Sequence, residues 1–279
     1  MNRRATGLLI VNADDLGLTP GVNAGIAEGY RHGIVTSTSV LAVAPAFEHA
    51  AALWRSGELH GLGVGVHFAL VGEDPPLLAS SEIPTLVDQQ GRFAVSWRQL
   101  LARAVTGRID ADDVRRELAA QLQRVLDAGF VPTHVDTHQH LHLWPSIRTV
   151  VLELARQAGV SAIRVPRSAG RGPKGRGIDA LAGALVRAAA TAGLRHPAGF
   201  AGLDEAGGLD PNRLGAIVSG LGPLPSVEIG CHPGQAVDPA RQRYRWGFDW
   251  PGELRALCDP GLREAVTRRG FRLGTFAEL

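Results

Sequence analysis

The chain has 279 residues, of which 45% are apolar, and a formal net charge of +2; this length suits one α/β barrel domain. The near balance of charge gives no indication of nucleic-acid binding, and the two cysteines, Cys231 and Cys258, exclude a disulfide framework and a cysteine-type zinc site. No window is apolar and long enough for a transmembrane or secretory segment, so we expect a protein of the reducing cytoplasm without a transmembrane segment.

Short apolar runs alternate with amphipathic stretches along the whole chain. The runs predict β-strands over residues 8–13, 37–43, 62–68, 133–138, 162–166, 226–231 and 271–275. Helical patterns cover 21–33, 46–57, 110–130, 145–159, 178–193 and 251–270, many of them ending in glycine, and Asp110 is the expected N-cap of the third. This alternation predicts a single α/β domain over 1–279 with a mostly parallel sheet.

Three stretches lack a clear pattern and predict long loops. They cover residues 71–98, rich in proline and turn residues, 167–177, which is basic, and 234–251. Long loops in a compact domain are often functional lids, and the alternative is that these segments are tolerated insertions.

The first predicted strand ends in two adjacent carboxylates, in the stretch "LLIVNADDLGLTPG". Asp14 and Asp15 repel each other, and burying their charge is costly without a partner. Either the pair is solvated in a turn or a positive group lies beside it.

The densest polar pattern is "PTHVDTHQHLHLWP", residues 132–145. Its alternate positions are His134, Asp136, His138, His140 and His142. In an extended strand these five side chains would share one face. Because the dipeptide at 144–145 starts a helix, the strand is expected to end near His138 or His140.

Two more histidines end predicted strands, namely His67 in "GVGVHFAL" and His232 in "EIGCHPG". The carboxyl ends of parallel strands meet at one edge, where α/β proteins build their active sites. A cation between Asp15 and two histidines would stabilise the paired aspartates. Such a ligand set suits zinc best and also accepts manganese, iron or cobalt. Asp14 would then stand beside a metal-bound water and could take its proton.

Several blocks, in the same order and spacing, resemble the YdjC-like (ChbG/HpnK) carbohydrate deacetylase family. They are "LLIVNADDLGLTPGVNAGI" with "GIVTSTS", "GVGVHFAL", "PTHVDTHQHLHLWP", "EIGCHPG" and "RRGFRLGTF". The resemblance extends from residue 8 to 276 and implies a distorted TIM-like (β/α) barrel. It also implies an enzyme that uses one divalent metal ion, zinc first, with magnesium, manganese or cobalt as alternatives. The implied reaction removes the N-acetyl group of a 2-acetamido sugar and releases acetate.

The resemblance also assigns roles to six residues of this sequence. The implied metal ligands are Asp15, His67 and His138. The implied catalytic residues are Asp14 as the base, His232 as the acid and Arg164, which would orient Asp14. The implied partner is a small-molecule or lipid-linked N-acetylated sugar, with no nucleic acid and a possible homodimer.

Aromatic residues in and near the loops have two interpretations. Tyr244, Trp246 and Trp250 follow one another in "RYRWGFDW", and Trp144 ends the histidine-rich run. Each could stack on a sugar ring or simply anchor its loop.

Other functions remain open at this stage. The strand-end residues could serve another metal-dependent amide or phosphoester hydrolase, although the single lysine, Lys174, lies in a glycine-rich loop and is badly placed to bridge two metals. A non-catalytic sugar- or metal-binding protein would need the ligands but neither Asp14 nor His232. Chemistry at Cys231 is disfavoured, because adjacent residues of a strand point to opposite faces.

Overall fold

A computed structural model describes residues 7–279 of the chain. Its β-strands are β1 (Gly7–Leu16), β2 (Ser37–Val40), β3 (Gly63–Phe68), β4 (His134–Thr137), β5 (Ala162–Ile163), β6 (Gly199–Ala201), β7 (Ser226–Cys231) and β8 (Phe271–Leu273). They form one sheet in the order β5-β4-β3-β2-β1-β7-β6, with β8 paired to the start of β1. Every strand pair is parallel, and the curled sheet forms a distorted TIM-like barrel, as expected.

Helices connect successive strands. They are α1 (Pro20–His32), α2 (Phe47–Arg55), α3 (Trp97–Val105), α4 (Ala111–Asp127), α5 (Pro145–Gln157), α6 (Pro173–Ala192), α7 (Pro211–Gly220), α8 (Trp250–Leu257) and α9 (Leu262–Arg268). Proline occupies the first turn of several of them, where its missing N–H costs nothing. Asp110 caps α4 by accepting a hydrogen bond from the Asp112 N–H, which confirms the predicted cap.

The two faces of β1 show how the barrel is filled. Leu9 and Val11 point outward into the main apolar core that the helices cover. Leu8 and Ile10 point inward and pack with Phe276 near the C-terminus of the chain. The ring of His134 stacks on the same phenylalanine, with ring centroids 3.7 Å apart. Apolar and aromatic groups therefore fill the amino end of the barrel, and polar chemistry is left to its carboxyl end.

Three elements were not predicted. Strand β6 has only three residues, too few for a periodic pattern, and α7 contains two glycines that weaken its helical signal. Helix α3 begins inside the segment 71–98, so the loop there ends at residue 96.

Several predicted boundaries were wrong. The stretch 251–270 is two helices, α8 and α9, because Pro260 cannot continue the first. Helix α6 begins at Pro173, so the predicted loop 167–177 is shorter than expected. Strand β4 ends at Thr137, and β2 and β5 are also shorter than predicted.

None of the helices between residues 7 and 279 is both long and apolar enough to cross a membrane.

Candidate active site

Five of the six predicted site residues line one cavity of about 350 Å³ at the carboxyl ends of the strands. They are Asp14, Asp15, His67, His138 and His232. The sixth, Arg164, lies directly behind Asp14 and is fully buried. Residues separated by more than two hundred positions in the chain therefore meet at one sheet edge, as the strand-end pattern predicted.

A bulge in β1 explains how both aspartates reach this cavity. Adjacent residues of a regular strand point to opposite faces. Between Ala13 and Leu16 the register of β1 against β2 shifts, and Asp15 adopts a left-handed backbone with φ of 70°. Gly17 follows with φ of 104°, and its N–H donates to the side chain of Asn23 at 2.6 Å. This turn brings Asp15 round to the same cavity as Asp14.

Asp15 lies between two imidazoles. Its Oδ1 atom is 3.5 Å from His67 Nε2 and 3.5 Å from His138 Nδ1. This oxygen is buried and finds no hydrogen-bond donor among residues 7–279. Ligand atoms about 2.1 Å from a tetrahedral ion are roughly 3.4 Å apart, so these separations match those of ligands sharing one cation. The unsatisfied oxygen and the two nitrogens thus fit a divalent metal ion.

Asp136 orients the first of these imidazoles. His67 Nδ1 donates to Asp136 Oδ1 at 2.7 Å, which leaves Nε2 to face Asp15. Burial opposes a charge on this ring, but the Asp136 carboxylate and its hydrogen bond raise the pKa of His67 to about 9. A carboxylate behind a ligating histidine is the arrangement expected at a metal centre. The structure gives Asp136 the position that a supporting group would need.

Arg164 forms a bidentate ion pair with Asp14 through both terminal nitrogens. Nη1 donates to Asp14 Oδ2 at 2.7 Å, and Nη2 donates to Asp14 Oδ1 at 2.6 Å. Asn12 donates to the same carboxylate at 2.8 Å. Burial alone would raise the pKa of Asp14, but the guanidinium charge holds that pKa well below its ordinary value. Asp14 is therefore ionised and held in one orientation.

His232 faces Asp14 from the end of β7. Its Nε2 atom is 3.9 Å from Asp14 Oδ2, and its Nδ1 atom is 3.8 Å from Glu253 Oε2. The backbone N–H of His232 donates to the same oxygen of Glu253 at 2.5 Å, which fixes the turn after the strand. The imidazole stands at the cavity wall, where a ligand could contact it.

A family model for YdjC-like proteins matches residues 8–268. The chain belongs to the YdjC-like family. A chitooligosaccharide deacetylase of Enterobacter sp. (strain 638) is 38% identical over 276 residues, covering 98% of this chain and 99% of the relative. A carbohydrate deacetylase of Brevibacillus brevis is 34% identical over 271 residues, covering 97% and 99% of the two chains. A solved structure from Enterococcus faecalis V583, of a protein named for cellobiose-phosphate cleavage, superposes with a TM-score of 0.81 at 26% identity and 98% coverage of both chains.

The histidine-rich run of this YdjC-like chain does not stay on one face. The strand ends at Thr137, one residue before the predicted end, and Gln139 and His140 then adopt left-handed φ values of 54° and 56°. His142 turns back to hydrogen-bond Thr137 Oγ1 at 2.7 Å and the Arg164 carbonyl at 3.1 Å. Of the four histidines in the run, His138 is the one that lies beside Asp15 and His67, and the backbone leaves the extended conformation directly after Thr137.

Cys231 lies on the opposite face of β7 from the cavity. Its Sγ atom is buried 3.4 Å from the Asn12 carbonyl, and burial raises the pKa of the thiol well above its ordinary value. Cys231 is therefore not placed to react with a ligand in the cavity of this YdjC-like chain.

Sequence reasoning missed four polar residues that hold the site together, namely Asn12, Ser39, Glu228 and Glu253. The Ser39 hydroxyl lies 3.2 Å from both His67 Nδ1 and Asp136 Oδ2. A single acid inside the apolar strand "SVEIGC" was the available signal for Glu228. Glu253 lies on α8 and gave no signal, because an acidic residue in a first helical turn is ordinary.

Aromatic side chains form the outer wall of the cavity. The Trp246 ring centroid is 5.2 Å from that of His138, and Phe248 packs against His232 at 4.9 Å. The Trp246 indole N–H donates to both carboxylate oxygens of Glu73, at 3.1 and 3.2 Å, so two predicted loops join here. Trp250 is buried in the core and is a structural anchor.

A second cavity, of about 390 Å³, adjoins the first. It shares Trp97, Gln139, His140 and Leu203 with the first cavity. The rest of its lining is mostly apolar: Leu101, Leu141, Leu143, Trp144, Gly177, Ile178 and Leu181, with Lys174 and Asp204 as the polar exceptions. Helices α3 and α6 and the turn before α5 supply this apolar surface.

Removing a predicted ligand side chain, or the carboxylate that orients His67, should weaken zinc binding. We expect His138→Ala and Asp15→Ala to weaken zinc affinity by more than about 100-fold, and Asp136→Asn to weaken it by about 10- to 100-fold through His67. Isothermal titration calorimetry on metal-stripped protein gives these values. The exposed histidine in His60→Ala provides the matched control, and equal zinc affinity in His138→Ala and His60→Ala would contradict the assignment.

Proposed function

We propose that this chain hydrolyses the N-acetyl amide of a 2-acetamido sugar and releases acetate and the free amino sugar. One observation carries the proposal: an ionised carboxylate, Asp14, and a histidine, His232, face each other in one cavity. Beside them lies a cluster of side chains that suits a metal ion. Asp14 Oδ2 and His232 Nε2 are 3.9 Å apart there. The deacetylase names of relatives aligned over nearly the whole chain give the reaction class.

The proposed metal ligands are Asp15, His67 and His138. Zinc suits this oxygen and nitrogen donor set best, and magnesium, manganese or cobalt are the alternatives. When bound, such an ion would polarise the acetyl carbonyl and lower the pKa of a water molecule. The unsatisfied Asp15 oxygen supports this assignment, because a buried carboxylate oxygen otherwise needs a donor.

Asp14 is the proposed base. It is ionised at neutral pH, faces the cavity and is held by Arg164, so it can orient an attacking water and accept its proton. The guanidinium lowers the basicity of the carboxylate, but it also removes the freedom of rotation that would spoil the alignment. Fixed orientation is the larger benefit when the acceptor must act on one water molecule.

His232 is the proposed acid. An amine is a poor leaving group until it is protonated, so amide cleavage needs a proton donor on the leaving-group side. His232 Nε2 lies 3.9 Å from Asp14 Oδ2, and the residue forms part of the cavity wall. A binding protein without catalysis would not need this residue beside an oriented carboxylate.

The adjoining apolar cavity favours a substrate whose sugar carries an apolar group. A further sugar unit would need several hydrogen-bonding partners, whereas this cavity presents mainly leucine, isoleucine and tryptophan side chains. We therefore propose a lipid-linked or otherwise hydrocarbon-substituted acetamido sugar, with a small-molecule sugar as the alternative.

Both cysteines are free, which suits a reducing compartment, and on that ground we propose that the protein is cytoplasmic. The homodimer stays a prediction.

Neutralising the proposed base should separate metal binding from catalysis. We expect Asp14→Asn to lower kcat for acetate release by at least about 100-fold, because the amide cannot accept the proton, and to keep the bound metal. Acetate release from N-acetylglucosamine and its oligomers, together with metal analysis, measures both effects. Near-normal turnover by Asp14→Asn would rule out this base. Metal-bound wild-type protein that releases no acetate from any acetamido sugar would point to another hydrolase.

A series of alkyl N-acetylglucosaminides tests the apolar cavity. Each added methylene buried there should raise kcat/KM, by at most about fourfold, because burying one methylene yields about 0.8 kcal/mol. Leu181→Asp should flatten this dependence and leave the rate on the shortest glycoside nearly intact. Leu126→Asp, a surface leucine on α4, is the matched control. Wild-type rates that do not depend on chain length would exclude a hydrocarbon in this cavity.

A further inference from the structure

Glu228 is a fully buried acid that the proposed reaction does not use. It lies in the middle of β7, opposite Ile10 of β1 and Phe200 of β6 in the strand register. Its exposed fraction is 0%, and its strand neighbours Val227 and Ile229 belong to the apolar core. An acid at such a position needs a specific partner, because burying a charged or polar group is otherwise costly.

That partner is the guanidinium behind the proposed base. Arg164 Nε donates to Glu228 Oε1 at 2.6 Å, while the two terminal nitrogens hold Asp14. Nη1 also lies 2.6 Å from Asp136 Oδ2. Three carboxyl groups therefore surround one guanidinium, and Glu228 is the one that binds its Nε atom.

The three carboxyl groups differ in their remaining contacts. Asp14 also accepts a hydrogen bond from Asn12, and Asp136 accepts one from His67. The second oxygen of Glu228, Oε2, is buried and has no hydrogen-bond partner within residues 7–279. A bare carboxylate oxygen in the protein interior is unfavourable, whereas a protonated carboxyl group carries no charge to desolvate. Of the three groups, Glu228 is the one best suited to hold a proton.

We propose that Glu228 is a positioning residue that remains uncharged and holds Arg164 by its Nε, so that both terminal nitrogens and the full cationic charge stay on Asp14 and Asp136. An ionised Glu228 would compete with those two carboxylates for the same cation. The role rests on the proposed function insofar as Asp14 is the base, but the state of Glu228 can be tested without a substrate.

Electrostatics around Glu228 agrees with this assignment. Burial raises the pKa of Glu228 to about 8 even though the Arg164 charge and hydrogen bond lower it. The charged groups that act on it are Arg164 at the end of β5, Asp14 on β1 and Asp136 on β4. Both aspartates repel a third negative charge, and neither changes in the variants below.

The first experiment compares Glu228→Gln with Glu228→Leu. Gln keeps an oxygen that accepts from Arg164 Nε and, like the protonated acid, has no charge, so we expect kcat for acetate release within about threefold of the wild-type value. Leu has similar volume but no acceptor, so the guanidinium can shift against Asp14. We expect kcat to fall by about tenfold or more, with KM and zinc content unchanged, because small displacements of catalytic groups cost this much.

Two outcomes of this comparison would overturn the proposal. Wild-type kcat in Glu228→Leu would show that Arg164 needs no Nε acceptor. A loss in Glu228→Gln as large as that in Glu228→Leu would show that the negative charge is required. If Glu228→Leu does not fold, Glu228→Gln still decides whether the charge matters.

The second experiment measures the free energy of unfolding of the wild type and of Glu228→Gln from pH 5 to 9. A folded-state pKa of about 8, above the ordinary value of 4.5, means that the folded protein keeps a proton that the unfolded chain releases. Wild-type stability relative to Glu228→Gln should therefore fall as the pH rises to about 8, and then level off. A stability difference that is constant over this range would overturn the uncharged state. Because no substrate is used, this result stands even if the proposed reaction is wrong.

Discussion

The buried ion pair between Arg164 and Asp14 is the interaction on which the site depends. A guanidinium with no solvent exposure is tolerable only if its donors meet acceptors, and the strands of the barrel supply three carboxyl groups for this purpose. The same contacts fix Asp14 in orientation and keep it ionised. The cost of burying charge and the need for an oriented carboxylate are therefore met by one arrangement, which joins β1, β4, the end of β5 and β7 around a single side chain.

The bulge in β1 allows the two adjacent carboxylates, Asp14 and Asp15, to contact different partners. Asp14 continues the inward alternation of the strand and turns toward Arg164. Asp15, in the left-handed conformation, turns toward His67 and His138 instead. Aspartate tolerates this backbone better than most residues do, and Gly17 completes the turn. Asp14 is thus paired with the guanidinium of Arg164, and Asp15 keeps an oxygen that suits a metal ion.

The sequence was most informative where a structure depends on neighbouring residues or on a periodic pattern of apolar residues. Apolar runs located the long strands, and polar residues at their ends located His67, His138 and His232 at one edge. It was least informative where partners come from distant segments. Nothing in "SVEIGC" says that Glu228 meets an arginine 64 positions earlier, and the histidine run could not reveal the left-handed backbone at Gln139 and His140. Short elements such as β6 lack enough residues for any period to appear.

The site residues that the sequence predicted lie on the inner face of the barrel, and most of the parts that it did not predict lie on the rim. The inner barrel face carries the proposed chemistry, and its side chains are constrained by burial, charge pairing and strand register. The rim is built from α3, the start of α6 and the two loops that Glu73 and Trp246 join, and the sequence patterns left most of this region unassigned. Rim side chains contact the space where a substrate would extend, but they are not needed to satisfy the buried charges. Changes at Trp97, Leu101 or Leu181 can therefore alter the shape and polarity of the adjoining cavity without disturbing Arg164. On this basis the reaction type is a property of the strand ends, whereas the identity of the sugar and of any group attached to it is set by the rim.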